Sequence, residues 1–264
     1  MSLIFLKLGG SLITNKSRPY TARLEKLDDL ALQIGAVLRE NPDLQLVLGH
    51  GSGSFGHQAA SHYDTRTGVS GPEAWHGFSE VWYQASALNR LVIEALHRAG
   101  LPAVTFSPAA SVTAHDGKAF IWDPYPLRSA LSNGLLPVIH GDVVFDDVRG
   151  GTILSTEDLF VHLARLLYPQ RILLAGLEAG VWVDFPKRTD LLKDITPGDL
   201  EQLSPGLGGA ASVDVTGGMR TKVTEMLELV DQVPGLEVQI FSGVEPGNLR
   251  RALLGENPGT RLHR

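Results

Sequence analysis

The sequence predicts an α/β fold, a three-layer αβα sandwich with a mostly parallel central sheet. Short runs of leucine and β-branched residues, bounded by Gly or Pro, are typical of strands that are covered on both faces. Longer stretches with apolar residues at helical spacing lie between these runs. Strands that alternate with helices need crossover connections, which place neighbouring strands parallel to each other.

Six strands and five helices are predicted along the chain. The helix over 78–99, for example, has Val81, Ala85 and Leu88 on one side and ends before Gly100 and Pro102. The predicted strands cover residues 3–8, 44–48, 103–106, 136–139, 172–175 and 238–241. The predicted helices cover residues 21–40, 78–99, 156–168, 218–233 and 248–254.

The composition of the chain excludes several classes of protein. Its 264 residues are 43% apolar and 20% charged, with no linker-like stretch or internal repeat, so one domain over 1–264 is expected. The absence of cysteine excludes thiolate nucleophiles, thiolate zinc sites and iron–sulfur clusters. The net charge of −6 argues against a nucleic-acid partner. Without a membrane-length apolar run or a signal peptide, we predict a cytoplasmic protein with no membrane partner.

Glycine-rich turns carry the candidate functional residues. In a parallel sheet, turns at the carboxyl ends of strands share one edge, which is where ligands bind. Turns without side chains let backbone N–H groups converge on an anion. Four such turns, each with Lys, His or Asp, predict a phosphate-binding edge: residues 7–11 (KLGGS), 49–57 (GHGSGSFGH), 140–142 (HGD) and 214–222 (DVTGGMRTK).

The common phosphate-binding motifs do not account for these turns. Residues 51–56 match G-x-G-x-x-G, but the dinucleotide fingerprint needs a helix and a second strand that ends in an acidic residue. The polar stretch 61–77 does not fit that pattern, so a nicotinamide oxidoreductase is a weak alternative that would require NAD binding. The P-loop and protein-kinase motifs are absent from the sequence.

Taken together, the turns resemble the amino acid kinase superfamily, and the G-x-G-S-F-G-H run over 51–57 is similar to its isopentenyl phosphate kinase branch. The resemblance implies an open αβα sandwich, ATP with Mg²⁺, and a homodimer. It further implies an acceptor-binding N-terminal part, a nucleotide-binding C-terminal part, and conversion of isopentenyl phosphate to isopentenyl diphosphate. The general superfamily features are the turn at Lys7, the Lys16 that follows it, Gly141 with Asp142, and the T-G-G-M-x-x-K segment over 216–222.

Phosphoryl transfer requires cations to converge on several crowded negative charges. The resemblance implies that Lys7 and Lys222 contact the ATP phosphates and that Lys16 contacts the transferred γ-phosphoryl group. Asp158 either caps its helix or orients Lys7 and Lys222, as the matching superfamily aspartate does. Asp142 could reach Mg²⁺ through water or hold the lysines, and no side chain is expected to ligate the metal directly.

His57 is the residue that discriminates among acceptors. A phosphate acceptor is substantially ionised at pH 7 and needs donors for its oxygens rather than a general base. We therefore predict that His57 binds the substrate phosphate, with Gly51, Gly56 and Gly141 allowing close backbone approach. Ser52 is expected on the ATP side of the same loop.

The remaining ATP contacts rest on the resemblance. The segment 175–182 (AGLEAGVW) departs from the superfamily pattern T-D-V-D-G-V-Y, and D-F-P-K at 184–187 stands in place of D-P-K. The turns that handle phosphate are unaffected by this departure. The expected ATP-binding residues are Lys7, Gly9, Gly10, Ser11, Ser52, Asp158, Gly180, Lys187, Gly217, Gly218 and Lys222.

The substrate tail is less visible in the sequence. Phe78 and Trp82, four residues apart on one predicted helix, suggest a pocket for a short isoprenoid tail. An apolar pocket would favour isopentenyl phosphate, whereas a small polar pocket would favour fosfomycin or another small phosphonate. Amino-acid acceptors are disfavoured by His57. A non-catalytic nucleotide-binding module is the alternative from a different class.

Overall fold

Alternating strands and helices build the molecule, as the computed structural model shows. It describes residues 2–199 and 218–264; within the first range, it describes only the backbone of residues 57–59. The strands are β1 (Ser2–Leu8), β2 (Leu44–His50), β3 (Ala103–Thr105), β4 (Val112–His115), β5 (Lys118–Trp122), β6 (Leu136–His140), β7 (Asp142–Asp146), β8 (Gly150–Leu154), β9 (Arg171–Gly176), β10 (Val181–Trp182), β11 (Leu191–Leu192), β12 (Asp194–Ile195), β13 (Glu237–Ser242) and β14 (Thr260–Leu262). The helices are α1 (Gly10–Ile13), α2 (Leu24–Glu40), α3 (Gly53–Tyr63), α4 (Gly71–Arg98), α5 (Pro108–Ser111), α6 (Tyr125–Ser132), α7 (Thr156–Leu167), α8 (Met219–Gln232) and α9 (Asn248–Leu253).

Eight strands form the central sheet in the order β12-β14-β13-β9-β1-β2-β6-β3. Neighbouring strands are parallel, except that β13 and β14 are antiparallel. In the middle of the sheet, Lys7 of β1 lies between Gly49 of β2 and Leu174 of β9. The carboxyl ends of these strands therefore place the turns that follow β1 and β2 side by side.

Two hydrophobic cores, one on each face of the sheet, produce the three layers. Phe5 of β1 points to the face covered by α7 and α8, whereas Ile4 and Leu6 point to the face covered by α2 and α4. Side chains of β2 alternate in the same way, since successive residues of a strand point to opposite faces. The predicted αβα sandwich with a mostly parallel sheet is confirmed.

All six predicted strands and all five predicted helices are present, with ends shifted by a few residues in most cases. The largest shift is at α4, which starts at Gly71 instead of residue 78, with Ser70 at its N-cap and Pro72 in its first turn. Helix α3, which begins inside the glycine run, was not predicted. The run therefore does open a helix, but α4 follows α3 without a second strand, and this order still differs from a dinucleotide fold.

A separate sheet of four strands, in the order β5-β4-β7-β8, was also missed. The carboxylate of Asp146, at the end of β7, binds the turn between β4 and β5 and the turn between β7 and β8. Its Oδ1 accepts N–H bonds from Asp116 (3.2 Å), Val148 (2.9 Å) and Arg149 (2.8 Å), and its Oδ2 accepts one from Gly117 (2.7 Å). Burial by itself would raise the pKa of Asp146, but these four bonds together lower it below its ordinary value.

Asp146→Asn is expected to destabilise the protein by about 1–3 kcal/mol at pH 7, because an amide N–H would face backbone donors. A depressed folded pKa gives stability that is present above the ordinary aspartate value of about 4 and lost as the pH falls through the folded pKa. The deficit of the variant should therefore shrink in acid. Urea unfolding at pH 7 and near pH 3 measures this, with exposed Asp147→Asn as the control; equal deficits for both variants at pH 7 would contradict it.

None of the described helices has both the length and the apolar character needed to cross a bilayer.

Candidate active site

The turns that follow β1 and β2 lie in contact at the carboxyl edge of the sheet. A Cβ atom on Gly10 would lie 2.5 Å from the amide nitrogen of Gly53, and one on Gly51 would lie 2.9 Å from the amide nitrogen of Gly10. Gly53 has a φ of +51°, and its Cβ would collide with Thr14. These glycines are required because two backbones approach each other more closely than side chains would allow.

This contact gathers backbone donors at one place. Among the described residues, the N–H groups of Gly10, Ser11, Ser52 and Gly53 donate to no acceptor of the protein. Gly9, Gly51 and Ser54, in contrast, use their N–H groups to bind Ala175 O, Leu8 O and Thr14 Oγ1 within the protein. Four such donors in adjoining turns form a crevice that suits an anion with several oxygens. The predicted phosphate-binding character of these two turns agrees with this geometry.

The N-terminus of α7 is brought to the same edge. A Cβ on Gly49 would lie 2.4 Å from a methyl carbon of Thr156, so glycine in β2 allows α7 to approach the sheet closely. The Thr156 hydroxyl donates to the carbonyl of His50 (2.6 Å), and Gly141 N–H donates to the same oxygen (3.1 Å). The predicted Gly141 turn and the start of α7 therefore both contact the end of β2.

Glu157, in the first turn of α7, brings two of the predicted lysines together. Its Oε2 forms an ion pair with Lys7, and its Oε1 lies 3.3 Å from Nζ of Lys222. The Glu157 side chain is only 8% exposed, and that of Lys7 only 12%, so solvent screens this pair weakly. The arrangement joins β1, α7 and α8 through one carboxylate.

The interpretation of Asp158 as the acid that orients the lysines is wrong, because Glu157 occupies that position. Asp158 forms a capping box: it accepts Ser155 N–H at Oδ2 (2.7 Å), and its own N–H donates to Ser155 Oγ (3.1 Å). Its carboxylate also lies 3.5 Å from Arg66. The sequence did carry a signal for Glu157, which lies three residues before the buried Phe160 on the inward side of α7.

Asp142 does not take either predicted role. Its side chain is buried, its Oδ1 accepts Val143 N–H (2.8 Å), and its Oδ2 lies 3.3 Å from Nε2 of His140. Burial raises the pKa of Asp142, against the opposing effect of His140. A carboxyl in this environment is not placed to reach a hydrated ion. No cluster of three or more His, Asp or Glu side chains suited to a metal occurs in the described parts of the chain.

The other residues predicted for phosphate contact lie around the same turns. Ser52 precedes α3 as its N-cap residue, and a Cβ on Gly56 would collide with the Ser52 side chain. Lys16 lies in the exposed loop between α1 and α2, whose ends are joined by a bridge between Thr14 and Ala22.

Two further predictions concern residues that are described in part or not at all, and a third concerns Gly218, which adjoins one of them. The backbone of His57 belongs to α3, but its side chain is outside the described residues. Gly218 is the N-cap residue of α8, and Gly217 lies outside the described residues. The roles of all three in binding phosphate stay predictions.

The segment that departs from the superfamily pattern has its own ion pair. Glu178 binds Arg188 (2.9 Å) and accepts a bond from the indole N–H of Trp182 (3.0 Å). A Cβ on Gly180 would lie 2.4 Å from Oγ1 of Thr260, so this glycine packs against β14. Lys187 is exposed in the turn beyond β10. These contacts stabilise the loop without the acidic residues of the usual pattern.

The predicted aromatic pair is divided between an apolar cluster and the surface. Phe78 packs against Trp75 and Phe145, with ring centroids 5.2 and 5.1 Å apart, between α4 and the four-stranded sheet. Trp82 is 41% exposed and lies outside this cluster, so its contact with a substrate tail stays a prediction. The buried side of α4 is centred near Ala85, and Trp82 lies roughly 60–80° around the helix from this centre.

Comparisons with known proteins agree with this geometry. The profile of the amino acid kinase family matches residues 2–242. The chain is similar to the isopentenyl phosphate kinases of Methanothermobacter thermautotrophicus (37% identity) and Methanocaldococcus jannaschii (33%), with 98% of each chain covered in both comparisons. A crystal structure of isopentenyl phosphate kinase superposes with a TM-score of 0.82 at 34% identity, covering 98% of this chain and 99% of that one. With the glycine turns, the lysine pair and these similarities in agreement, the chain belongs to the amino acid kinase family.

Proposed function

We propose that this protein transfers the γ-phosphoryl group of ATP to isopentenyl phosphate and releases isopentenyl diphosphate and ADP. The observation that carries the proposal is the crevice of four N–H groups that donate to no acceptor of the described chain, beside the Lys7–Glu157–Lys222 cluster. Two anionic groups placed end to end need donors and cations from several segments, and this edge supplies both. The names of the similar proteins support the choice of acceptor.

The acceptor phosphate and the ATP phosphates occupy adjoining parts of this crevice. His57, with the backbone at Gly51, Gly56 and Gly141, holds the oxygens of the acceptor phosphate, whose second ionisation leaves a nucleophilic oxygen at neutral pH. Lys7 and Lys222 neutralise the ATP phosphates, and Glu157 sets the spacing of their ammonium groups. Lys16, in the loop after α1, contacts the γ-phosphoryl group during its transfer.

ATP extends from the crevice toward the C-terminal part of the chain. Gly9, Gly10, Ser11 and Ser52 contact its phosphates, and Gly180, Lys187, Gly217 and Gly218 contribute the remaining contacts. Mg²⁺ neutralises the triphosphate when it is bound. Phosphate oxygens and water would hold this ion, because Asp142 is buried beside His140 and is not placed to reach it.

An apolar tail fits the cluster of Phe78, Trp75 and Phe145. Ala60 of α3, which shares a buried apolar cluster with Phe78, lies about two helical turns beyond Gly53. This short distance suits a five-carbon chain attached to a phosphate in the crevice. Apolar lining favours isopentenyl phosphate over fosfomycin, as expected for the acceptor with the longer hydrocarbon tail. The acceptor thus binds in the N-terminal part of a single domain. We further propose that the protein forms a homodimer, as its resemblance to the family implies, and sedimentation equilibrium tests this.

A coupled assay of ADP release tests the activity. Purified protein with ATP and Mg²⁺ is given isopentenyl phosphate, dimethylallyl phosphate, fosfomycin or N-acetylglutamate in parallel. The highest kcat/KM is expected for isopentenyl phosphate. A preference for fosfomycin or N-acetylglutamate would reject the acceptor, and no turnover with any of the four would favour a non-catalytic nucleotide-binding module.

His57→Ala is expected to lose about 10²-fold or more in kcat/KM for isopentenyl phosphate, because a donor to the acceptor oxygens is removed. ATP should still bind, since other segments hold its phosphates. Steady-state kinetics and titration with a non-hydrolysable ATP analogue measure the two effects. His62→Ala, an exposed position on the same helix, is the matched control. Near-normal efficiency of His57→Ala would reject the assigned role.

A further inference from the structure

Behind the crevice lies a row of polar side chains that the proposed chemistry does not use. His50, the last residue of β2, is fully buried, with Nδ1 3.2 Å from the carbonyl oxygen of Gly51 and Nε2 3.1 Å from the side-chain amide of Asn89. The other end of that amide lies 2.9 Å from the hydroxyl of Thr105. The row connects α4 and β3 to one carbonyl group of the glycine loop.

The His50 ring is neutral in this position. Burial lowers its pKa to about 3, and His140, stacked at a centroid distance of 5.4 Å, and Lys7 act in the same direction, whereas a hydrogen bond donated to the Gly51 carbonyl opposes it. A neutral imidazole carries one N–H, and a carbonyl oxygen can only accept a hydrogen bond. The proton of His50 therefore resides on Nδ1, which donates to Gly51, and Nε2 needs a donor.

Asn89 can supply this donor while it also binds Thr105. The structure places Asn89 Oδ1 toward Nε2 of His50 and Nδ2 toward Thr105, and rotating the amide by 180° exchanges these two atoms without moving the rest of the side chain. In the rotated form the NH₂ group donates to Nε2 of His50, and the amide oxygen accepts the hydroxyl proton of Thr105. Every polar group in the row then has one partner: Thr105 donates to Asn89, Asn89 donates to His50, and His50 donates to Gly51. This proton assignment satisfies a neutral ring at both nitrogens.

The direction of the Gly51 carbonyl has a consequence for the crevice. In a trans peptide the C=O and the following N–H point in opposite directions, so Ser52 N–H points away from His50. That N–H is one of the four donors without an acceptor in the described chain. We propose that Thr105, Asn89 and His50 are positioning residues that hold the Gly51 carbonyl and thereby aim Ser52 N–H at a phosphate oxygen. The inference deepens the proposed function and rests on it for the identity of the anion.

Kinetics of isosteric variants test the row. Thr105→Val removes only the hydroxyl, and Asn89→Leu removes both hydrogen bonds of the amide. We expect kcat to fall about 5- to 10-fold in the first and at least 10-fold in the second, because a misdirected donor loses part of the 10²–10³-fold worth of such groups. Thr105→Ser, which keeps the hydroxyl, should stay within about twofold of the wild type. Wild-type kcat in Thr105→Val, or an equal loss in Thr105→Ser, would overturn the proposal.

A second measurement is independent of turnover. In protein labelled with ¹⁵N-histidine, ring-nitrogen shifts report which nitrogen carries the proton, and the His50→Asn variant identifies the signals of His50. A neutral ring protonated at Nδ1 is expected from pH 5 to pH 8, and weaker population of that tautomer in Thr105→Val. A proton on Nε2, or a charged ring at pH 7, would overturn the inference. If isopentenyl phosphate is not the acceptor, the proposed function fails while this result still stands, and the kinetics use the acceptor that the screen identifies.

Discussion

Lys7→Met is expected to reduce kcat for phosphoryl transfer by about 10²–10³-fold, one of the two largest effects in the molecule. Lys7 lies at the carboxyl end of β1, is only 12% exposed, and contacts Glu157 directly before the first glycine turn. Methionine keeps much of the volume and removes the charge. Because this position is largely buried, water cannot compensate for the missing positive charge.

Steady-state kinetics with saturating ATP and isopentenyl phosphate measure this effect, together with the thermal midpoint as a check of folding. Lys26→Met is the matched control, because Lys26 pairs with Asp29 on the surface of α2 and is expected to retain full activity. A Lys7→Met variant that folds and keeps kcat within threefold of the wild type would remove Lys7 from the site.

Glu157→Gln and Asp158→Asn should differ in their effects on kcat, because Glu157 contacts the lysines and Asp158 caps α7. The neutral amide introduced by the first variant cannot hold two ammonium groups by charge, so we expect kcat to fall about 10²-fold. Stability should fall as well, because the largely buried Lys7 ammonium loses its charged partner. Asp158→Asn weakens the capping box of α7 and should cost about 1 kcal/mol of stability while kcat changes only a few-fold.

Kinetics and urea unfolding of both variants provide this comparison. The residues are adjacent in one helix turn, so each variant serves as the matched control of the other. A large loss of kcat in Asp158→Asn, together with near-normal kcat in Glu157→Gln, would return the orienting role to Asp158 and contradict the arrangement of the lysines around Glu157.

The strands of the central sheet could be predicted because burial on both faces leaves a local mark. The β1 run reads as continuous apolar sequence up to Lys7, and the parallel strands β2 and β9 have the same character. The four-stranded sheet left no such mark, since its strands mix buried with exposed residues and are five residues or shorter. Its stability depends on Asp146, whose partners come from two separate turns.

The sequence by itself determined the αβα architecture and the turns that meet at its phosphate-binding edge, because apolar periodicity and glycine clusters are local properties of the chain. Only the tertiary structure decided which acid joins Lys7 to Lys222. It also decided that Gly10 packs on Gly53, and that Trp82 faces solvent while Phe78 is buried. These outcomes depend on how α7 docks against the sheet, how two loops distant in sequence approach, and how α4 is rotated. Such contacts follow from the packing of whole elements, which adjacent residues in the sequence do not encode.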